Sequence, residues 1–470
     1  MNRRSFLSRS LLSAASFGIG SALSRGRRGR YELSRSAEAA PLPTPYPVLL
    51  IAVHGGLDPA MHMVATPNGN FGNVNVVNRL PDSGSFVKTA KDILYVPSVV
   101  TPTGNDQFKA HLDDVALIRL LRLNGNHGDT AAIWFGDRAA GEQNYGRLAW
   151  ASQLTAQFRR RGVIVPKPCA VAYGKAAENL PYQEYITWGT QSPDPATIAD
   201  RILSLSGYFN SFSAGGNLPR PEVQSPAYAL VDALDQRVPS ATQPDYTQRF
   251  AAANGTATHL LTTVRSGPDW PPKDDVLRPL GVNAADLNKP IGELSYEQMF
   301  AFAAQALKQD VAHVVALAYS PGGQWDSHNA NAVKQRISGN ALWPAVGKLL
   351  ATLKTIKSPI DVTKTLFDTT NIWIQSEMGR TSTAQMGDGT DHWEWGSATF
   401  LGGRFKRGIA IGGYSPDWKA LPINPTTGTQ AGGIELRMNN AIATVMKAAG
   451  GDPSEFTNAA PVDAILDMSL

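Results

Sequence analysis

Five short segments of the chain each run into a loop carrying carboxylates, histidines or both. They are L-L-I-A-V-H-G-G-L-D-P, L-I-R-L-L-R-L-N-G-N-H-G-D-T, V-V-A-L-A-Y-S-P-G-G-Q-W-D-S-H, N-I-W-I-Q-S-E-M-G-R-T and G-D-G-T-D-H-W-E-W-G. Together they supply Asp58, His127, Asp129, Asp326, His328, Glu377, Asp391 and His392. Carboxylate plus imidazole is the donor mix of a hydrolytic divalent-metal site. Open α/β sheets place their ligand sites just beyond the carboxyl ends of strands, so the loops are expected to converge on one sheet edge.

Each motif has a functional and a structural reading. Asp58, after His54-Gly55-Gly56-Leu57, is placed as a metal ligand or as the cap of a following helix. Asp326 and His328 form D-x-H, and residues two apart in an extended loop point the same way, so both can bind one cation; the other reading is a capping Asp beside a surface His. Glu377 follows the strongest strand as a ligand or a helix-capping acid. Arg380, three residues on, binds an oxyanion with its planar fork or pairs with Glu377. Asp391 and His392 follow a glycine-rich loop, as ligands or as an orienting carboxylate–imidazole contact. In Asn126-His127-Gly128-Asp129-Thr130, His127 is a ligand or acid–base group and Thr130 a nucleophile at a helix N-terminus or a plain N-cap. His62, His111, His259 and His313 have no comparable company and read as ordinary histidines.

The elements that must hold these residues are strands and helices in alternation. Apolar runs at 48–53, 115–121, 163–171, 313–319, 371–375 and 398–401 read as buried strands. Helical spacing covers 296–308, 332–353 with Pro344 as a break or fresh start, and 436–449. The pattern implies an α/β protein with a three-layer, mainly parallel sheet and helices on both faces. The stretch 176–289 is rich in Pro, Gly, Ser, Asp and Asn and reads as a loop-rich cap insertion, with short helices at 195–205 and 227–236.

Residues 1–40 read as a leader outside the fold. Asn2-Arg3-Arg4-Ser5-Phe6-Leu7 is a twin-arginine export motif, followed by a short apolar stretch and a small-residue site before Pro41. The leader holds eight Arg and two Glu, whereas the whole chain carries only +4, so residues 41–470 are slightly acidic. The basic balance therefore belongs to the leader and gives no basis for nucleic-acid binding. The expected partner is the twin-arginine export machinery, and the expected destination is periplasmic or secreted. No other segment is long and apolar enough for a transmembrane helix. With a single cysteine, Cys169, no intrachain disulfide can form.

The motifs together resemble a family of bacterial exported proteins, domain of unknown function 1501, itself similar in fold to the alkaline phosphatase and sulfatase superfamily. The resemblance is carried by S-E-M-G-R-T, by the following G-x-D-H-W, by G-G-Q-W-D-S-H and by G-G-L-D after the first strand. It implies a binuclear divalent-metal site (zinc, manganese or calcium) acting on an anionic ester substrate. One metal would take Asp326, His328 and His392; the other would take Asp58, Glu377 and a nucleophilic hydroxyl. Met378 stands where the superfamily's enzymes carry a histidine, and Asn126 where related members tend to carry a serine, leaving Thr130 or water as nucleophile. The implied activity is an exported metal-dependent hydrolase of phosphate or sulfate esters. The alternative is a non-catalytic exported binding or surface-associated protein with a partial metal site. A third reading has Trp325, Trp393 and Trp395 stacking on sugar rings.

Overall fold

The six residues of β1 (Val48–Val53) are all apolar and all buried, as a strand covered on both faces requires. The computed structural model describes residues 44–63, 87–123, 149–160, 170–173, 202–204, 272–288, 294–310, 313–319, 325–381, 389–415 and 419–469, with 125, 133 and 136 singly. Strand β1 pairs in parallel with β7 (Val314–Tyr319) on one side and with β8 (Asn371–Ser376) on the other. The remaining strands of this sheet are β4 (Ala116–Arg122), β5 (Ala170–Tyr173), β6 (Ile202–Ser204), β11 (Trp395–Leu401) and β12 (Ile409–Ile411). The order is β12-β4-β11-β8-β1-β7-β5-β6. The sheet is mixed: β11 runs antiparallel to both neighbours, β4 and β8, while the other pairings are parallel. Two small ladders stand apart, β2 (Val87–Lys88) with β3 (Leu94–Tyr95) and β9 (Gly379–Arg380) with β10 (His392–Trp393).

Alternate side chains of β1 enter two separate apolar clusters. Leu49, Ile51 and Val53 join residues of α2 (Asp274–Leu280), α3 (Tyr296–Lys308) and α4 (Asn331–Thr355). Val48, Leu50 and Ala52 join residues of α1 (Trp150–Arg160) and α5 (Met438–Ala448). The strand's period of two thus divides one apolar run between two cores. Helix α3 starts at a capping box: Ser295 Oγ accepts from Gln298 N, and Gln298 Oε1 accepts from Ser295 N.

Three expectations need correction or refinement. Pro344 neither breaks nor restarts its helix, because α4 runs unbroken through it. Interior proline costs a helix about 3 kcal/mol; here Leu342, Trp343, Val346, Leu349 and Leu350 around it are all buried, and that packing outweighs the cost. Residues 202–204 are a strand, not the end of a helix over 195–205, because they pair with β5 at the sheet edge. Trp325 and Trp395 are core residues rather than a sugar platform, at 0% and 4% exposure. Of the stretch 176–289, the described parts are β6 and residues 272–288, and α2 within the latter belongs to the main core. The helix expected at 227–236 and Cys169 lie outside the described residues, as does the leader. No helix among the described residues is long and apolar enough to cross a membrane.

The register decides where the loops emerge. Val53 is level with Tyr319 on one side and with Ser376 on the other. The loops beginning at His54, after Tyr319 and at Glu377 therefore leave the same edge side by side. Strand β4 points the same way, since both it and β8 are antiparallel to β11.

Candidate metal centre

Asp326, His328 and His392 are brought together at that edge, and among the described residues they form the one group of three potential ligands whose donor atoms cluster. His328 Nε2 lies 3.0 Å from His392 Nε2 and 3.2 Å from Asp326 Oδ1, and His392 Nε2 lies 3.7 Å from the same oxygen. Donors about 2.1 Å from a tetrahedral cation stand roughly 3.4 Å apart, and the three separations bracket that value. Two imidazole nitrogens facing each other share either one hydrogen or a cation. The side chains remain 39%, 45% and 22% exposed, so the group is open on its solvent side, as an exchangeable site requires.

The short β9–β10 ladder accounts for His392. Its register sets His392 directly opposite Arg380. Arg380 is fully buried and donates through Nη2 to Asp326 Oδ1 at 2.6 Å and to the Gly55 carbonyl, with Nη1 3.4 Å from the Thr390 carbonyl. Its ion-pair partner is therefore Asp326, not Glu377, and both terminal nitrogens are engaged inside the protein. Gly389 has no side chain for a steric reason: a Cβ there would run into the His328 carbonyl and Asn329 N at 2.6 Å. That close approach brings the loop of His392 onto the loop of His328, joined by Thr390 N donating to Ser327 O at 3.0 Å.

Asp391 stands behind the group rather than in it. Its Oδ1 accepts from His392 N at 2.8 Å and lies 3.7 Å from His328 Nδ1, on the ring edge away from Asp326. That is the side of the ring on which an orienting carboxylate stands, at a separation longer than a hydrogen bond.

Glu377 and Asp58 have different surroundings. Glu377 is fully buried; Oε1 accepts from Gly55 N at 2.8 Å and Oε2 accepts from Ser376 Oγ at 3.0 Å, with His54 Nε2 at 4.0 Å from Oε1. Asp58 caps the 3-10 turn Pro59–Met61 through Ala60 N, and its other oxygen accepts from Asn331 Nδ2 at 2.7 Å. Each acts as an acceptor for buried donors. Met378, beside Glu377, is also fully buried.

His127 and Thr130 lie outside the described residues. The strand leading to them ends at Arg122, and Leu123 N donates to Glu394 O, two residues past His392. Sequence reasoning missed Asn331 and Gln335, buried amides on the first two turns of α4, and His62 beyond them. His62 Nδ1 accepts from Trp343 Nε1 at 2.8 Å, which leaves its Nε2 to donate to Gln335 Oε1 at 3.0 Å. Burial pushes the His62 pKa down to about 4, so the ring is neutral.

Residues 48–460 match the family described as "Protein of unknown function (DUF1501)". The chain belongs to this family. The match spans every strand of the main sheet and all three residues of the ligand group. No curated protein matches the chain.

Proposed function

We propose that this protein is an exported hydrolase of phosphate or sulfate esters, built around one divalent cation held by Asp326, His328 and His392. The observation that carries the reading is the convergence of these three donors, half-open to solvent, at the edge where parallel strands end. A divalent cation there would polarise an ester oxygen and acidify water. Arg380 holds Asp326 in place, Asp391 orients His328, and Thr130 or water supplies the attacking oxygen. The reading takes the sheet as the centre of a three-layer alkaline phosphatase-like fold. Support comes from β1, β5, β6, β7 and β8 running parallel and from apolar clusters on both sides of β1. It takes the twin-arginine motif at Arg3 and Arg4 as directing export to the periplasm or beyond.

A single cation is favoured over two, because Glu377 and Asp58 are buried against internal donors while Asp326 is partly exposed, and Met378 is no ligand for a hard ion. The same facts favour a second reading, an exported binding protein with a residual metal site. Elemental analysis of the exported protein, followed by assay on aryl phosphates and aryl sulfates with zinc, manganese or calcium, separates the readings. One metal per chain with ester cleavage supports the hydrolase, and one metal without cleavage supports the binding protein. No metal under any loading condition removes both.

A further inference from the structure

The loops that carry the candidate ligands are tied together by two neutral amides, Asn331 and Gln335, which stand one turn apart on α4 and are fully buried. Gln335 Nε2 donates to the carbonyls of Gly56 at 3.0 Å and Trp325 at 3.1 Å and reaches Ser327 Oγ at 3.2 Å. Gln335 Oε1 accepts from Asp58 N at 3.1 Å and from His62 Nε2 at 3.0 Å. Asn331 Nδ2 donates to Asp58 Oδ2, while Asn331 Oδ1 accepts from Ser327 Oγ at 2.5 Å and Thr390 Oγ1 at 3.1 Å. The orientation of both amides is forced. Carbonyls and a carboxylate can only accept, and a backbone N–H can only donate.

These contacts bracket the ligand group. Trp325 O and Ser327 Oγ lie on either side of Asp326, Ser327 immediately precedes His328, and Thr390 is two residues before His392. Three loops far apart in sequence are thus referenced to one point on one helix. No single-function side chain replaces either amide: an acid would face the Gly56 and Trp325 carbonyls or Asp58, and an aliphatic chain would strand the buried donors.

We propose that Asn331 and Gln335 are positioning residues that set the spacing of the Asp326, His328 and His392 donor atoms, and through it the affinity and coordination geometry of the bound cation. The proposal rests on the metal-centre reading above. Its test uses cobalt(II), whose visible absorption reports coordination number and geometry. The full chain and the variants Q335L, S327A and T390V are titrated with cobalt(II), with thermal melting in chelator as the control for folding. S327A and T390V each delete one hydroxyl that touches an amide and are mild enough to keep the fold if Q335L does not.

The expected result is a visible cobalt spectrum in the parent protein, with affinity about 10- to 100-fold weaker and altered bands in the variants that fold. Parent-like affinity and bands in folded S327A and T390V would overturn the positioning role while leaving the metal centre standing. Failure of the parent protein to bind cobalt would remove the metal centre itself, and the positioning role with it.

Discussion

The carboxylates of Asp326 and Glu377 leave neighbouring regions of one sheet edge, yet their environments are opposite. Asp326 is 39% exposed and faces two imidazoles and a guanidinium, so its partners are side chains that a cation can join or replace. Glu377 is fully buried and accepts from the Gly55 backbone and the Ser376 hydroxyl, partners fixed by the fold. Asp58 sides with Glu377, accepting from Ala60 N and from Asn331. A carboxylate at a strand end becomes a ligand or a brace according to who supplies its donors. On the single-cation reading, deep burial and internal donors make Glu377 and Asp58 braces, while partial exposure leaves Asp326 open to a cation.

The sharpest way to break this comparison is to remove one member of each class. Asp326→Ala, His328→Ala and His392→Ala are each expected to abolish stoichiometric metal in elemental analysis. Glu377→Ala is expected to leave metal content unchanged while lowering stability by about 1–3 kcal/mol, since it strands the buried Gly55 N–H. Loss of metal in Glu377→Ala would restore the two-cation arrangement. A more gradual effect concerns the buried side of the comparison under acid. The His62 pKa falls to about 4 on folding from an ordinary 6.5, so below pH 6.5 the unfolded chain takes up a proton that the native state refuses. Stability is therefore full above pH 6.5 and declines as pH falls toward 4, by up to about 1.4 kcal/mol per pH unit. His62→Gln, followed by denaturant melts across that range, is expected to flatten this component; an unchanged slope would assign the acid sensitivity elsewhere. The smallest effect is expected of Asp391→Asn, about a tenfold loss of metal affinity measured by competition with a chelator, because its contact with His328 is half-exposed and long. Loss as large as that of Asp326→Ala would make Asp391 a ligand.

Much of the fold is legible because burial leaves a plain pattern. Val48–Val53 is an uninterrupted apolar run, and Tyr296–Lys308 carries apolar residues at helix spacing, so both appear at the expected bounds. Ile202–Ser204 is not legible, because three residues at a sheet edge are held by a partner strand more than by their own propensity. Pro344 misleads for the same kind of reason, with surrounding packing overriding a local rule. In the site, D-x-H and D-H-W supply the three donors that cluster, and residue type alone singles them out. Asp58 and Glu377 look equally promising, and what separates them is the direction of backbone N–H groups at Ala60 and Gly55, which no residue letter records. Asn331 and Gln335 are hidden more completely. Neutral amides at the start of a long helix read as its solvent face, and only the three-dimensional return of the loops at 55–58, 325–328 and 390 shows otherwise.

The position of β1 has a consequence for the timing of assembly. Its partners are strands beginning at Val314 and Asn371, so β1 has no neighbour in the sheet until those later segments have been made. At roughly 5–20 residues per second, translation leaves β1 waiting on the order of 15 to 60 s for β8. Throughout that interval an apolar strand with two open edges must be shielded by something other than the native sheet. His392 lies later still in the sequence than β8, so a cation that needs all three donors could be held only after His392 has been made.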